Sequence, residues 1–178
     1  MKMMEMRVGA IGIDPQTGDS VILLKDIENR RALPIWVGLS EAKAITSAMR
    51  NISSPRPSTH DLLFSSIKQL GYHIKEVVIT DLKVDTFLAE VVLRPAGAPS
   101  EAPTVTLDAR PSDAIALAAL CHAPVFVAPH ILTQVGIAAN PEQDHKDTLQ
   151  FKEFIEQVKA SDFKLAGRLE LPGDDLET

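Results

Sequence analysis

Twice along this chain the hydrophobic period changes from that of a strand to that of a helix, and this change limits the folds open to it. Met4, Met6, Val8 and Ala10 alternate with Glu5, Arg7 and Gly9, the period-two pattern of a strand with one buried face. Val21–Leu24 and Leu33–Val37 read as two further strands, set off by the turn-rich stretch Asp14–Asp19 and the polar stretch Asp26–Arg31. Pro34 cannot donate a ladder hydrogen bond, so it belongs at an edge or a strand start. At Ser40 the period lengthens. Ala44, Ile45, Ala48 and Met49 share one helical face up to Arg50, with Ser40 as the expected N-cap. A second helix is predicted from about Thr59 to Leu70, with Leu63, Ile67 and Leu70 as its core stripe and Gly71 just beyond it. Strands over Tyr72–Thr80, Thr86–Arg94 and Thr104–Ala109 then lead into a helix from Ser112 to about Leu120. A short strand, Pro124–Ala128, and a helical turn or two over Ile131–Val135 follow.

This order predicts an α+β fold: a mixed, largely antiparallel sheet with helices packed on it. Ser40–Ile45 lines up with Ser112–Leu117 at an offset of 72 residues, each segment following a short apolar strand. Two readings fit that likeness. One is an internal duplication of strand-strand-strand-helix halves; the other is chance similarity between two strand-to-helix junctions.

Charge divides the chain of 178 residues. Residues 1–140 carry 13 Lys/Arg and 14 Asp/Glu, a net of −1, whereas 141–178 carry 5 and 10, a net of −5. The expected organisation is a domain over 1–140 and an acidic C-terminal extension over 141–178, with one helix at about 147–160 and a disordered end. A near-neutral body lacks the basic excess of a tight nucleic-acid binder, so any phosphate contact must come from a local cluster of cations. The single cysteine, Cys121, cannot form an internal disulfide, and no apolar run is long enough to span a membrane, so a cytoplasmic location with no membrane partner is expected. No Walker A, Gly-x-Gly-x-x-Gly, Gly-x-Ser-x-Gly or Cys-x-x-Cys pattern occurs, which removes support from P-loop hydrolases, Rossmann oxidoreductases and α/β-hydrolases.

One local motif appears at two predicted helix starts. Arg56-Pro57-Ser58-Thr59-His60-Asp61 opens one helix, and Asp108-Ala109-Arg110-Pro111-Ser112-Asp113 opens another. Free backbone N–H groups and the helix dipole favour anions there, and a guanidinium adds donors shaped for phosphate. On this reading Arg56, Arg110, Thr59 and Ser112 bind phosphate. His60 transfers protons, since imidazole titrates near neutrality. Asp61, Asp108 and Asp113 hold a divalent cation, Mg²⁺ or Mn²⁺, or orient His60. Glu41, at the first helix opening, is a lesser candidate. The alternative is purely structural: Ser and Thr cap helices, Pro suits the first turn, and acids there complement the dipole. Ser58-x-x-Asp61 is close to a capping box. His73, His122, His130 and His145 read as cap, core or surface residues, and Cys121 as a small buried hydrophobe.

Four ordered blocks resemble the bifunctional nuclease family, also called the domain of unknown function 151 family, over roughly residues 3–140. They are Leu33-Pro34-Ile35-Trp36-Val37-Gly38 with Glu41-Ala42, Arg56 to Leu62, Thr86-Phe87-Leu88-Ala89, and Asp108 to Leu117. The resemblance implies a compact α+β domain, often a homo-oligomer (dimer or higher), with nucleic acid, DNA and RNA, as substrate. The family usually has Tyr where Leu88 stands, so a substrate contact made by that hydroxyl would be missing here. A non-enzymatic regulatory module, or one binding a small phosphorylated ligand, is the alternative function.

Overall fold

A computed structural model describes residues 2–52 and 54–140. The expectations for 141–178 lie outside the described residues. The chain runs β1 (Met4–Ile13), β2 (Ser20–Asp26), β3 (Arg31–Val37), α1 (Leu39–Met49), α2 (Thr59–Gln69), β4 (Tyr72–Lys83), β5 (Thr86–Pro95), β6 (Val105–Ala109), α3 (Pro111–Cys121), β7 (Val125–Val127), α4 (Pro129–Val135) and β8 (Ile137–Ala138). The strands form one eight-stranded sheet in the order β6-β5-β4-β7-β1-β2-β3-β8. Every pairing is antiparallel except β4 with β7. The fold is therefore α+β with a mixed, mostly antiparallel sheet.

β1-β2-β3-α1 and β4-β5-β6-α3 each consist of a three-stranded meander followed by a helix. Their first strands, β1 and β4, flank β7 at the centre of the sheet. The two halves thus share one order of elements, and the likeness between the starts of α1 and α3 falls at equivalent places. Pro34 pairs with Leu23 of β2, while β8 reaches only Arg31 and Ala32 on the other side. At Pro34, β3 is therefore the local edge of the described sheet, although Pro34 stands in the middle of the strand and not at its start.

One face of the sheet packs on the helices. Ile74, Val77 and Ile79 of β4 and Ala89, Val91 and Leu93 of β5 join Ile22, Leu24, Ile45 and Ile115 in a single core. Helix α3 is buried on nearly every side, with Ala114, Ile115, Ala116, Leu117 and Ala118 all inaccessible or almost so. Its small residues let α1, lined by Ala42 and Ala48, approach closely.

Two expectations need correction. Ser40 is not the N-cap of α1; Gly38 occupies that position without a side-chain cap. The apolar stripe of α2 is also rotated from the expected one. Leu63 and Leu70 are exposed, and Ile67 is buried with Phe64 packed beside it. Residues 60, 64 and 67, spaced by four and three, form the inward face. Only that narrow face meets α3 and β4, because α2 lies at the rim of the helical layer. Position 60 is a histidine.

Candidate active site

The backbone of α2 starts at a complete capping box. Ser58 N and Oγ both donate to Asp61 Oδ2, at 2.8 and 2.7 Å, and Asp61 N donates back to Ser58 Oγ at 3.4 Å. These Ser58 bonds, side chain first and then backbone, hold the Asp61 carboxyl below the usual range. With the helix start fixed, His60 projects from the inward face toward α3. Its Nε2 lies 3.0 Å from Asp113 Oδ1, joining residues 53 apart in sequence. An ionised carboxylate only accepts, so this bond requires the proton on Nε2, and in the neutral ring Nδ1 is then the acceptor.

Asp113 is held from its other side by the guanidinium at the N-cap of α3. Arg110 Nε donates to Asp113 Oδ2 at 2.7 Å, and Nη2 donates to Oδ1 at 3.1 Å. The same Nη2 donates to Glu41 Oε1 at 3.0 Å, which brings in the first turn of α1. Partial burial acts to raise the Asp113 carboxyl, but the Arg110 and His60 bonds outweigh it and hold the group below its ordinary value. The two carboxylates push Arg110 the opposite way, Asp113 most, so it stays charged. Arg110 Nη1 makes no bond among the described residues, and the side chain is 67% exposed. Its outer edge can therefore receive an anion. Gly38 contributes by lacking a side chain: a Cβ there would fall on the Glu41 carboxylate.

The three helix openings thus converge on the chain Glu41–Arg110–Asp113–His60. Other expected residues stand elsewhere. Asp108 lies on β6 opposite Glu90, and Leu107 and Ala109 beside it pair with the core residues Val91 and Ala89. Alternation therefore turns Asp108 to the sheet face away from the helices. Leu88 alternates with Ala89 in the same way, so the departure from Tyr does not enter the His60 cluster. Asp61 is engaged in its own helix cap. Among the described residues, no three of His, Cys, Asp and Glu stand close enough to hold a metal ion. The set Asp61, Asp108 and Asp113 is not assembled, and both Asp113 oxygens already accept from Arg110. Arg56 and Thr59 are exposed beside the capping box, and Ser112 is buried in the first turn of α3.

A groove of about 480 Å³ borders His60. One wall is α1, from Ser40 to Ala48; Ile52, Ser54, Pro55, Ser58, His60 and Asp61 form the other, and Leu120 of α3 completes the lining. Lys43 of α1 stands at its lip, a residue that no helix-opening motif marked. Sequence reasoning also missed a second imidazole–carboxylate pair, His130 Nε2 with Asp81 Oδ1 at 3.2 Å, which lowers the Asp81 carboxyl. It joins α4 to β4 and does not line this groove. Cys121 Sγ donates to Leu117 O at 3.2 Å, and burial pushes its thiol up, which disfavours a nucleophilic role.

A family model described as the bifunctional nuclease domain matches residues 22–140. An uncharacterized protein of Mycobacterium tuberculosis (strain ATCC 25618 / H37Rv) is 36% identical over 168 residues, which cover 90% of this chain and 98% of that protein. Bifunctional nuclease 1 of Oryza sativa subsp. indica is 28% identical over 136 residues, 75% of this chain and 40% of its own length. Bifunctional nuclease 2 of Arabidopsis thaliana is 30% identical over 105 residues, 59% of this chain and 31% of that one. The matched region spans well under half of each plant relative.

Proposed function

Since the chain belongs to the bifunctional nuclease domain family, we propose that it is a nuclease that hydrolyses phosphodiester bonds of DNA, RNA or both, with His60 as its proton-transfer group. The observation that supports this reading is the 3.0 Å pairing of His60 with Asp113, itself held by Arg110. Asp113 fixes the imidazole with Nδ1 free and stabilises the imidazolium once it forms. Nδ1 takes a proton from water as the water oxygen bonds to phosphorus. The bond from phosphorus to the leaving oxygen, on the opposite side, breaks; that oxygen takes a proton from solvent, and the imidazolium releases its own to solvent, which restores the neutral ring. The products are a phosphate monoester and a free hydroxyl. Water, not a sugar hydroxyl, is the nucleophile here, because DNA has no 2′-OH. Arg110 Nη1, and Arg56 from the neighbouring loop, meet the phosphate charge.

The test incubates purified protein with single-stranded RNA and DNA oligonucleotides, with and without Mg²⁺ or Mn²⁺. Cleavage is expected, and His60→Ala should lower it by about 10²- to 10⁴-fold, the usual worth of a general acid–base group. Full activity in that variant would remove His60 from the mechanism. Binding without turnover under every condition would favour the non-enzymatic alternative. A homo-oligomer belongs to the same proposal and is read by light scattering of the full chain.

A further inference from the structure

We infer that the groove beside His60 is a single-strand site that receives one sugar–phosphate unit and is indifferent to base identity, an inference that rests on the nuclease reading for its chemistry but not for its binding. Ser40, Lys43, Ser47, Ser54, Ser58 and His60 line it, and the volume is about 480 Å³. That size lies in the range of sites for a single small ligand unit. His60 carries the one aromatic ring among the described lining residues, and the lining holds no Asn, Gln or Arg beside it to read base edges. The hydroxyls of Ser40, Ser47 and Ser54 and the Lys43 ammonium are suited to sugar and phosphate oxygens, contacts that carry no sequence information, while the Asp61 carboxylate in the same lining is occupied by its Ser58 bonds. Lys43 makes no ion pair among the described residues, which leaves its charge for the backbone of the strand. A duplex is stiff, with its bases paired inward, whereas a flexible single strand can lay one unit of its backbone between α1 and the start of α2.

Binding is measured by fluorescence anisotropy on the full chain carrying His60→Ala, so that turnover does not intervene. The probes are a labelled ten-nucleotide single strand, two unrelated sequences of it, and the matching duplex. The single strands should bind alike and at least about tenfold more tightly than the duplex. Removing one phosphate contact lowers the log–log salt slope by about 0.7 for a single strand, so Lys43→Ala should show that change and Lys43→Arg should restore it. Ser47→Leu, which fills the groove from an α1 position outside the core without adding a stacking ring, should abolish binding with an unchanged melting temperature. Equal affinity for the duplex would overturn the inference, as would wild-type binding by Ser47→Leu. The two readings fail separately: oligonucleotide binding without cleavage by the unmutated chain retains the groove and removes the nuclease, while cleavage with undiminished binding by Ser47→Leu does the reverse.

Discussion

Replacing Asp113 with Asn tests the pairing on which the proposed proton transfer depends. Asp113 Oδ1 accepts from His60 Nε2 at 3.0 Å and from Arg110 Nη2 at 3.1 Å, while Oδ2 accepts only from Arg110 Nε at 2.7 Å. The amide of Asn offers one acceptor and one donor group. Placing its oxygen at the Oδ1 position preserves two bonds and sets the NH₂ against one guanidinium N–H; the opposite placement loses two. The imidazole therefore keeps its orientation, and what disappears is the negative charge that stabilises the imidazolium. A charge-assisted hydrogen bond is worth about 1.5–3 kcal/mol, of which a neutral bond restores about 1. The difference, roughly 0.5–2 kcal/mol, corresponds to a fall in kcat of about 2- to 30-fold. Asp113→Ala, which also frees the ring, should reach the 10²- to 10⁴-fold loss expected for His60→Ala. The assay is steady-state cleavage of a fluorophore–quencher oligonucleotide, with KM followed separately and folding checked by circular dichroism. A folded Asp113→Ala protein with the unmutated kcat would refute the pairing as a catalytic device. Asp113→Asn falling as far as Asp113→Ala would show that the ring reorients, against the placement worked out above.

Two further outcomes separate the cluster from its neighbours. Asp108→Asn should leave kcat within about twofold in the same assay, because alternation on β6 turns that side chain to the opposite sheet face; a large loss would return Asp108 to the site. Asp61→Ala should destabilise the fold by about 0.5–2 kcal/mol through loss of the capping box, read by thermal denaturation. Because the folded Asp61 carboxyl sits below its unfolded value, the stability it confers is present above the unfolded pKa and is lost as pH falls through the folded one. The melting temperature should thus drop below about pH 4 in the unmutated chain and drop less steeply in Asp61→Ala; equal slopes would refute the linkage.

Much of the site's local anatomy was legible before any coordinates. The Ser58-x-x-Asp61 spacing announced a capping box, since both halves of that device lie within one turn. The alternation of Val105, Leu107 and Ala109 also carried the signal that turns Asp108 away, although the motif reading placed Asp108 with the cluster. On α2, two overlapping stripes were open to the periodicity: Leu63–Ile67–Leu70 and His60–Phe64–Ile67. Hydropathy favours the first. Packing selects the second, because α2 touches the body along only one narrow line and a histidine with a carboxylate partner can be partly buried at little cost.

Sequence by itself determined most of the element order, the α+β class and the capping box of α2, because hydrophobic period, turn chemistry and capping act between residues a few positions apart. Tertiary structure alone decided that Glu41, His60, Arg110 and Asp113 meet, across separations of 69 and 53 residues. Those distances are closed by the packing of α1 and α2 on the buried α3, and no local pattern encodes how three helices are turned about their axes when they share one core.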